Sequence, residues 1–189
     1  MTMMLVFFLE ERSAKEFLEG FLPRVLPDGV LFKCIAFEGK QDLEKHLKAK
    51  IQGWRMPNTC FVVLRDQDSA NCIDVKQRLK DICVDAGRPD TLVRIVCHEL
   101  ESWFLGDLLA VEQALGLSGL AKKQQQKKFK NPDLLANASE ELEKLTGYEY
   151  TKVAGSRALG FVMSQHSNCS TSFNHFVSGL LRHLEVCPQ

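Results

Sequence analysis

Four short runs of branched and aromatic residues, at 4–9, 30–37, 60–64 and 91–97, alternate with stretches whose apolar residues recur at helical spacing. That alternation limits the possible folds more than any other feature of the chain. After the first run, Ala14, Phe17, Leu18, Phe21 and Leu22 share a helical stripe, with Ser13 predicted as the N-cap and Glu16 as its capping-box partner. After the second, Leu43, Leu47 and Ile51 form a stripe among charges that Gly53 and Pro57 close. After the third, Ile73, Val75, Leu79, Ile82 and Cys83 trace a helix that ends near Gly87 and Pro89. Helical crossovers between strands require a mainly parallel sheet with helices on its faces. The near-continuous apolarity of the runs is what strands covered on both sides need. The predicted fold class is therefore α/β, with a four-stranded, mainly parallel sheet.

From about His98 the pattern is helical up to a stop at Gly116. The texture then changes to a polar, basic connector, K-K-Q-Q-Q-K-K-F-K-N-P, followed by a helix over 139–145 and an amphipathic one over 172–184 carrying Phe173, Phe176, Val177, Leu180, Leu181 and Leu184. This divides the chain into an α/β core, residues 1–116, and a helical C-terminal extension, residues 117–189, packed on it. At 189 residues and 45% hydrophobic content, the chain has ample material for such a core.

A parallel sheet delivers the carboxyl ends of its strands to one edge, and in open α/β sheets ligands bind there. The predicted first strand ends in Glu10-Glu11, the third in Asp66-Gln67-Asp68, and the fourth in Glu99-Leu100-Glu101. If the strand stays extended, Asp66 and Asp68 project to one side about 6.6 Å apart. Crowded carboxylates raise one another's pKa unless a positive charge compensates, and hard oxygen ligands with few histidines select Mg²⁺ or Mn²⁺. Glu10, Asp66 and Asp68 are thus candidate catalytic and metal-binding residues, with Glu99 and Glu101 as further candidate ligands. A plainer reading stands beside this one. Acids near helix N-termini cap the helix and complement its dipole, and Asp66, Asp68 or Glu101 could do no more than that.

The pairing of a Glu after strand one with a D-x-D after strand three resembles the Toprim fold of primases, type IA and type II topoisomerases and overcoming-lysogenization-defect nucleases. Here F-L-E-E-R-S-A-K-E-F-L aligns with the first Toprim motif, with Glu10 at its key glutamate. Glu11 replaces the motif glycine, and Ala14 stands where a second acid often lies. More narrowly, R-D-Q-D, A-G-R-P-D-T-L-V-R-I, H-E-L-E-S-W-F-L-G-D, N-P-D and K-V-A-G-S-R-A-L-G look like a bacterial Toprim-like family described as domain of unknown function 4276, over nearly the whole chain. The Toprim resemblance implies Mg²⁺-assisted cleavage or transfer at a phosphodiester. On it, Asp66 and Asp68 would hold the metal, and Glu10 would act as general acid or base or complete the metal shell. Related families resemble effector halves of bacterial phage-defence pairs, which implies an ATPase partner.

Cations must face these acids if a polyanion is to approach. Arg12 and Arg65 adjoin them, though each equally suits a local ion pair. Lys152 and Arg157 lie in T-K-V-A-G-S-R-A-L-G, which suits phosphate at a helix N-terminus and equally a turn whose glycines allow close packing. Lys122, Lys123, Lys127, Lys128 and Lys130 could contact a nucleic-acid backbone or be simply solvated. Trp54 and Trp103 could stack on bases, although aromatics in a helical stripe serve a core.

Other chemistries are excluded. H-E-L-E-S lacks the second histidine of a zinc-protease helix, and no G-x-x-x-x-G-K-[ST] loop exists. With 24 basic and 24 acidic residues, net charge draws the chain to neither nucleic acid nor membrane. No apolar stretch nears the roughly 20 residues that span a bilayer. The seven cysteines lack C-x-x-C spacing and several sit in apolar runs like small hydrophobes, so a reducing, cytoplasmic setting is expected. Nothing in the residues bears on oligomeric state. The leading expectation is a metal-dependent nuclease or related phosphodiester enzyme. A non-catalytic binding module is the alternative, and chemistry on a small phosphate a third.

Overall fold

The computed structural model of the chain describes residues 3–187. Strand β1 (Met3–Leu9), helix α1 (Arg12–Phe21), β2 (Val30–Ala36), α2 (Lys40–Gln52), β3 (Thr59–Asp66), α3 (Cys72–Asp85) and β4 (Leu92–Val96) follow in the predicted alternation. The four strands form one sheet in the order β2-β1-β3-β4, and every pairing is parallel. The architecture is the predicted Toprim-like one. The two central strands are buried almost throughout, whereas β2 lies at an edge and leaves Leu31 52% exposed.

The two-residue period of the strands sorts the core into two layers. Val6, Phe8, Phe61 and Val63 pack under Leu43, Leu47 and Ile51 of α2 and Val75, Leu79 and Cys83 of α3. Leu5, Phe7, Leu9, Cys60, Val62 and Leu64 face the larger cluster, which α1 covers together with helices from the second half of the chain. Those are α4 (Glu101–Leu105), α5 (Leu108–Leu115), α6 (Lys127–Lys130), α7 (Ala138–Leu145), α8 (Lys152–Val162) and α9 (Thr171–Val186). Trp103 is fully buried there against the rings of Phe17, Phe173 and Phe176, so it serves the core. Trp54 is half-buried, edge-on to Phe61, and donates from Nε1 to Thr59 Oγ1 at 3.0 Å.

Several local expectations give way. Glu11, not Ser13, is the N-cap of α1. Ser13 lies in the first turn with its hydroxyl donating to Glu11, and Glu16 pairs with arginines instead of closing a capping box. The helix expected from His98 to Leu115 breaks at Gly106-Asp107. Gly106 sits so close to Asn168 that a Cβ there would lie 2.1 Å from Oδ1, and Asp107 caps α5 by accepting from Ala110 N. The polar connector is ordered: Phe129 is buried, and the Gln124 amide bonds Leu108 N, Leu105 O and Phe129 O. The K-V-A-G-S-R-A-L-G run is neither a turn nor a loop before a helix but α8 itself. Its Gly160 meets Gly20 of α1, where a Cβ would lie 2.3 Å from Phe17 O. Cys60 and Cys187 are joined in a disulfide across 127 residues, a pairing that spacing along the chain could not reveal. No helix among the described residues is long and apolar enough to cross a membrane.

Candidate functional site

In this strand order, β1 leads through α1 toward β2 on one side, while β3 leads through α3 toward β4 on the other. The chain therefore diverges at the carboxyl ends of β1 and β3, the switch point where open α/β sheets place their ligands. Glu10 follows β1 there, and Asp66 ends β3.

Glu10 Oε2 accepts a hydrogen bond from Asp66 N at 3.1 Å, and Arg65 Nε lies 3.7 Å from the same oxygen. Burial pushes the Glu10 carboxyl up and the charge of Asp68 adds to this, with Arg65 opposing. Asp66 Oδ2 accepts from Leu100 N at 3.2 Å, ahead of α4. Its carboxyl is held well above the usual range, first by burial and then by the negative charges of Glu101, Glu10 and Glu11.

Asp68 differs from expectation in direction. The strand ends at Asp66 and Asp68 is left-handed, with φ 54°, so the 6.6 Å spacing of a continuing strand does not apply. Its NH donates to His98 O at 2.9 Å, and Oδ2 accepts from Lys40 Nζ at 2.8 Å. His98 is left-handed too, with φ 57°, and its ring Nδ1 lies 3.2 Å from Asp68 O. Asp and His tolerate this conformation better than most residues, and paired strain of this kind gathers at functional sites.

Glu101 is fully buried at the start of α4. Oε1 accepts from Tyr150 OH at 2.9 Å, whereas Oε2 is buried with no hydrogen-bond partner. Burial raises its carboxyl, and Lys152 counters in part. Lys152, at the start of α8, is pulled down by burial. Glu101, Glu11, Asp66 and Glu99 outweigh that pull and raise it overall. Glu99 points elsewhere: Oε2 accepts from Ser139 N at 2.8 Å in the first turn of α7.

Of the four candidate phosphate-binding cations, Lys152 and Arg65 stand among the acids, and of these Lys152 is the one with an exposed side chain. Arg12 and Arg157 grip the two oxygens of Glu16 at 3.2 and 2.7 Å, tying α8 to α1. Arg65 is buried and pairs with Glu44 as well as Glu10. Two contributors were not among the candidate site residues, although Glu11 was placed at the rim. Glu11 carries a charge into the cluster and lies 3.7 Å from Lys152, and Lys40 holds Asp68. Adjacency to Glu10 could have flagged the first, and the start of a crossover helix at the same rim the second. Beside the acids, a cleft of about 850 Å³ opens between α1, the end of β2 and the start of α8, lined by Glu11, Arg12, Lys15, Phe37 and Lys152 among others.

The donor set suits a hard divalent cation in kind, because Glu101 Oε2 is orphaned and Asp66 sits among three like charges. The geometry is open, since no three carboxylates among the described residues bring ligand oxygens within 4.8 Å of one another. The side chains that do converge to that degree are Cys60, His183 and Cys187, at the other end of β3.

Comparison with known proteins agrees with the fold. The family described as "Domain of unknown function (DUF4276)" matches residues 9–181. No curated protein matches the sequence. Among solved structures, the C-terminal region of the Burkholderia pseudomallei OLD protein superposes with a TM-score of 0.54 at 16% identity, covering 95% of this chain and 96% of that one.

Proposed function

The chain belongs to the family described as Domain of unknown function (DUF4276), and within it we propose that this member is a metal-dependent enzyme of Toprim type that cleaves phosphodiesters, a nuclease. One observation carries the reading: Glu10 accepts from the backbone NH of Asp66, 56 residues away, at 3.1 Å at the switch point, where burial and like charges push both carboxyls up. A structural cap needs no such crowding.

Asp66, Glu10 and the free oxygen of Glu101 are the groups that would hold Mg²⁺ or Mn²⁺, with Asp68 joining once it leaves Lys40. When bound, such an ion supplies positive charge against the charge that develops on the phosphate oxygens. Glu10, whose carboxyl is pushed up by burial, is suited to take up or give a proton at the attacking or leaving oxygen. Lys152 would hold a phosphate beside the cleft. Glu11 stands at the N-cap position of α1, where the Toprim motif has glycine, and its charge would make Lys152 necessary for phosphate approach. Exposed lysines of the 122–130 segment would extend the contact along a nucleic-acid strand, and an ATPase partner in a cytoplasmic defence pair would supply control.

A second reading is a non-catalytic binding module. The ion pairs of Lys40 with Asp68 and of Arg65 with Glu10, together with the spread of the carboxylates, favour it. Incubation of the purified chain with labelled single- and double-stranded DNA and RNA and Mg²⁺ or Mn²⁺ separates the two. Cleavage lost on Asp66→Ala supports the enzyme. Cleavage indifferent to that substitution rejects this site as the catalyst, and none with any substrate while nucleic acid still binds supports the module.

A further inference from the structure

At the amino end of β3, opposite the acidic rim, Cys60, His183 and Cys187 bring one ligand atom each to within 4.8 Å of one another. We propose that, once its Cys60–Cys187 disulfide is reduced, the chain binds one zinc ion through the two sulfurs and His183, so that metal and disulfide are alternative ways of fixing the end of α9 to the sheet.

Four features support this. The cluster is built of soft thiolates and an imidazole, the set that selects zinc over the hard cations suited to the rim. Its members are 0, 7 and 6% exposed, so the ion would sit away from bulk chelators. His183 Nε2 is buried without any hydrogen-bond partner, while the imidazole also engages the Phe61 backbone, the kind of outer contact that orients a ligating histidine. The scaffold is rigid. Cys60 sits on a central strand, and His183 and Cys187 are one turn apart at the end of α9, on one face. A tetrahedral zinc ion separates its ligand atoms by roughly 3.3–3.8 Å, which small side-chain shifts within this envelope achieve. Water completes the fourth position.

The chemistry balances with a dithiol reductant. Two electrons and two protons pass from the reductant to the Cys60–Cys187 bond, which breaks into two thiols as the reductant closes its own disulfide. Zinc binding then releases the two thiol protons.

The test uses the full chain, reduced with a phosphine and desalted without oxygen, then given one equivalent of Zn²⁺ or Co²⁺. The expected result is one zinc retained per chain, an intense sulfur-to-cobalt charge-transfer band with Co²⁺, and alkylation of Cys60 and Cys187 at least tenfold slower than in the zinc-free reduced chain. Oxidised chain should retain none at this site and show five titratable thiols. His183→Ala should weaken zinc at least tenfold, and Cys187→Ser should abolish the charge-transfer band. Failure of the fully reduced wild type to retain zinc, or zinc that persists in both Cys60→Ser and Cys187→Ser, overturns the proposal. Because alkylation mapping is read on the wild-type chain, the result does not depend on any variant folding.

Discussion

The carboxylate of Glu10 accepts the backbone NH of Asp66 at 3.1 Å, so the residue after one strand fixes the last residue of its neighbour. The bond does two things at once. It satisfies a backbone donor where the sheet ladder ends, and it keeps two acids close in a place where burial raises both. Glu10→Gln retains an acceptor of the same shape and removes the charge and the titrating proton. If Glu10 is the general acid or base, that variant should fold with unchanged far-UV dichroism and lose about 10²- to 10⁴-fold in cleavage rate. A rate within threefold of wild type would remove Glu10 from the chemistry.

Asp66 is buried among the negative charges of Glu101, Glu10 and Glu11, so its ionised form opposes folding. Its carboxyl is raised in the folded chain, so folding binds protons. Stability is fullest below the ordinary value of about 4 and is lost as pH rises through the elevated one. Asp66→Asn keeps an acceptor for Leu100 N. Without metal it should be more stable than wild type by at least about 1 kcal/mol near pH 7, the gain vanishing toward pH 4. Urea denaturation across that range gives the difference directly, free of the opposing contributions of Glu16 and Asp90, whose carboxyls are lowered by arginine.

The same crowding predicts how the folded chain answers to a cation. An ion seated against Asp66 and Glu101 relieves their repulsion, so Mg²⁺ or Mn²⁺ should raise the melting temperature, by the equivalent of about 2.7 kcal/mol at a hundred times the dissociation constant. Calcium-free differential scanning fluorimetry reads this without any substrate. Asp66→Asn should lose most of the shift, and equal shifts in both proteins would place the ion elsewhere.

Lys152 faces the cluster from the start of α8, and four acids favour its charged form. Lys152→Met leaves Glu101 without its counter-charge. Since almost half of the lysine side chain is exposed, the cost is discounted to about 1 kcal/mol at neutral pH. Binding of single-stranded nucleic acid should weaken, and the slope of log affinity against log salt should fall by about one if Lys152 contacts a phosphate. An unchanged slope would confine Lys152 to balancing the acids.

What the sequence disclosed follows from how local each signal is. The strands and α1 to α3 were legible because periodicity, glycine stops and apolar runs act within a few residues. Glu10 and Asp66 were legible as partners because parallel topology alone brings strand ends to one edge. The fates of Asp68 and Glu99 were not, since a left-handed turn and a bond to Ser139 depend on which residues lie opposite in space. Arg157 illustrates the same limit, held by Glu16 of another helix, whereas the local ion pair open to Arg12 is the one it makes, with Glu16 one turn on in α1. The break at Gly106 and the pairing of Cys60 with Cys187 likewise arise from contacts more than 60 residues apart.

The crossing of α1 with α8 is where that long-range packing can be tested most simply, because it positions Lys152 beside Glu11. Gly20 and Gly160 let the two backbones approach. A Cβ on Gly160 would lie 2.3 Å from Phe17 O, and one on Gly20 would lie 2.9 Å from the Gly160 carbonyl carbon. In each case the obstacle is backbone, which cannot swing aside as a flexible side chain does. Alanine favours helices over glycine by about 1 kcal/mol, so a crossing that tolerated a methyl group would be stabilised by Gly160→Ala. Close packing predicts the opposite sign: a loss of about 1–3 kcal/mol in urea denaturation, as helices forced apart give up contacts beneath them. The same separation would move Lys152 away from Glu11, so nucleic-acid affinity should drop along with stability. If Gly160→Ala is instead neutral or stabilising, the helices are not in the tight contact described, and Lys152 is not fixed at the rim by this crossing.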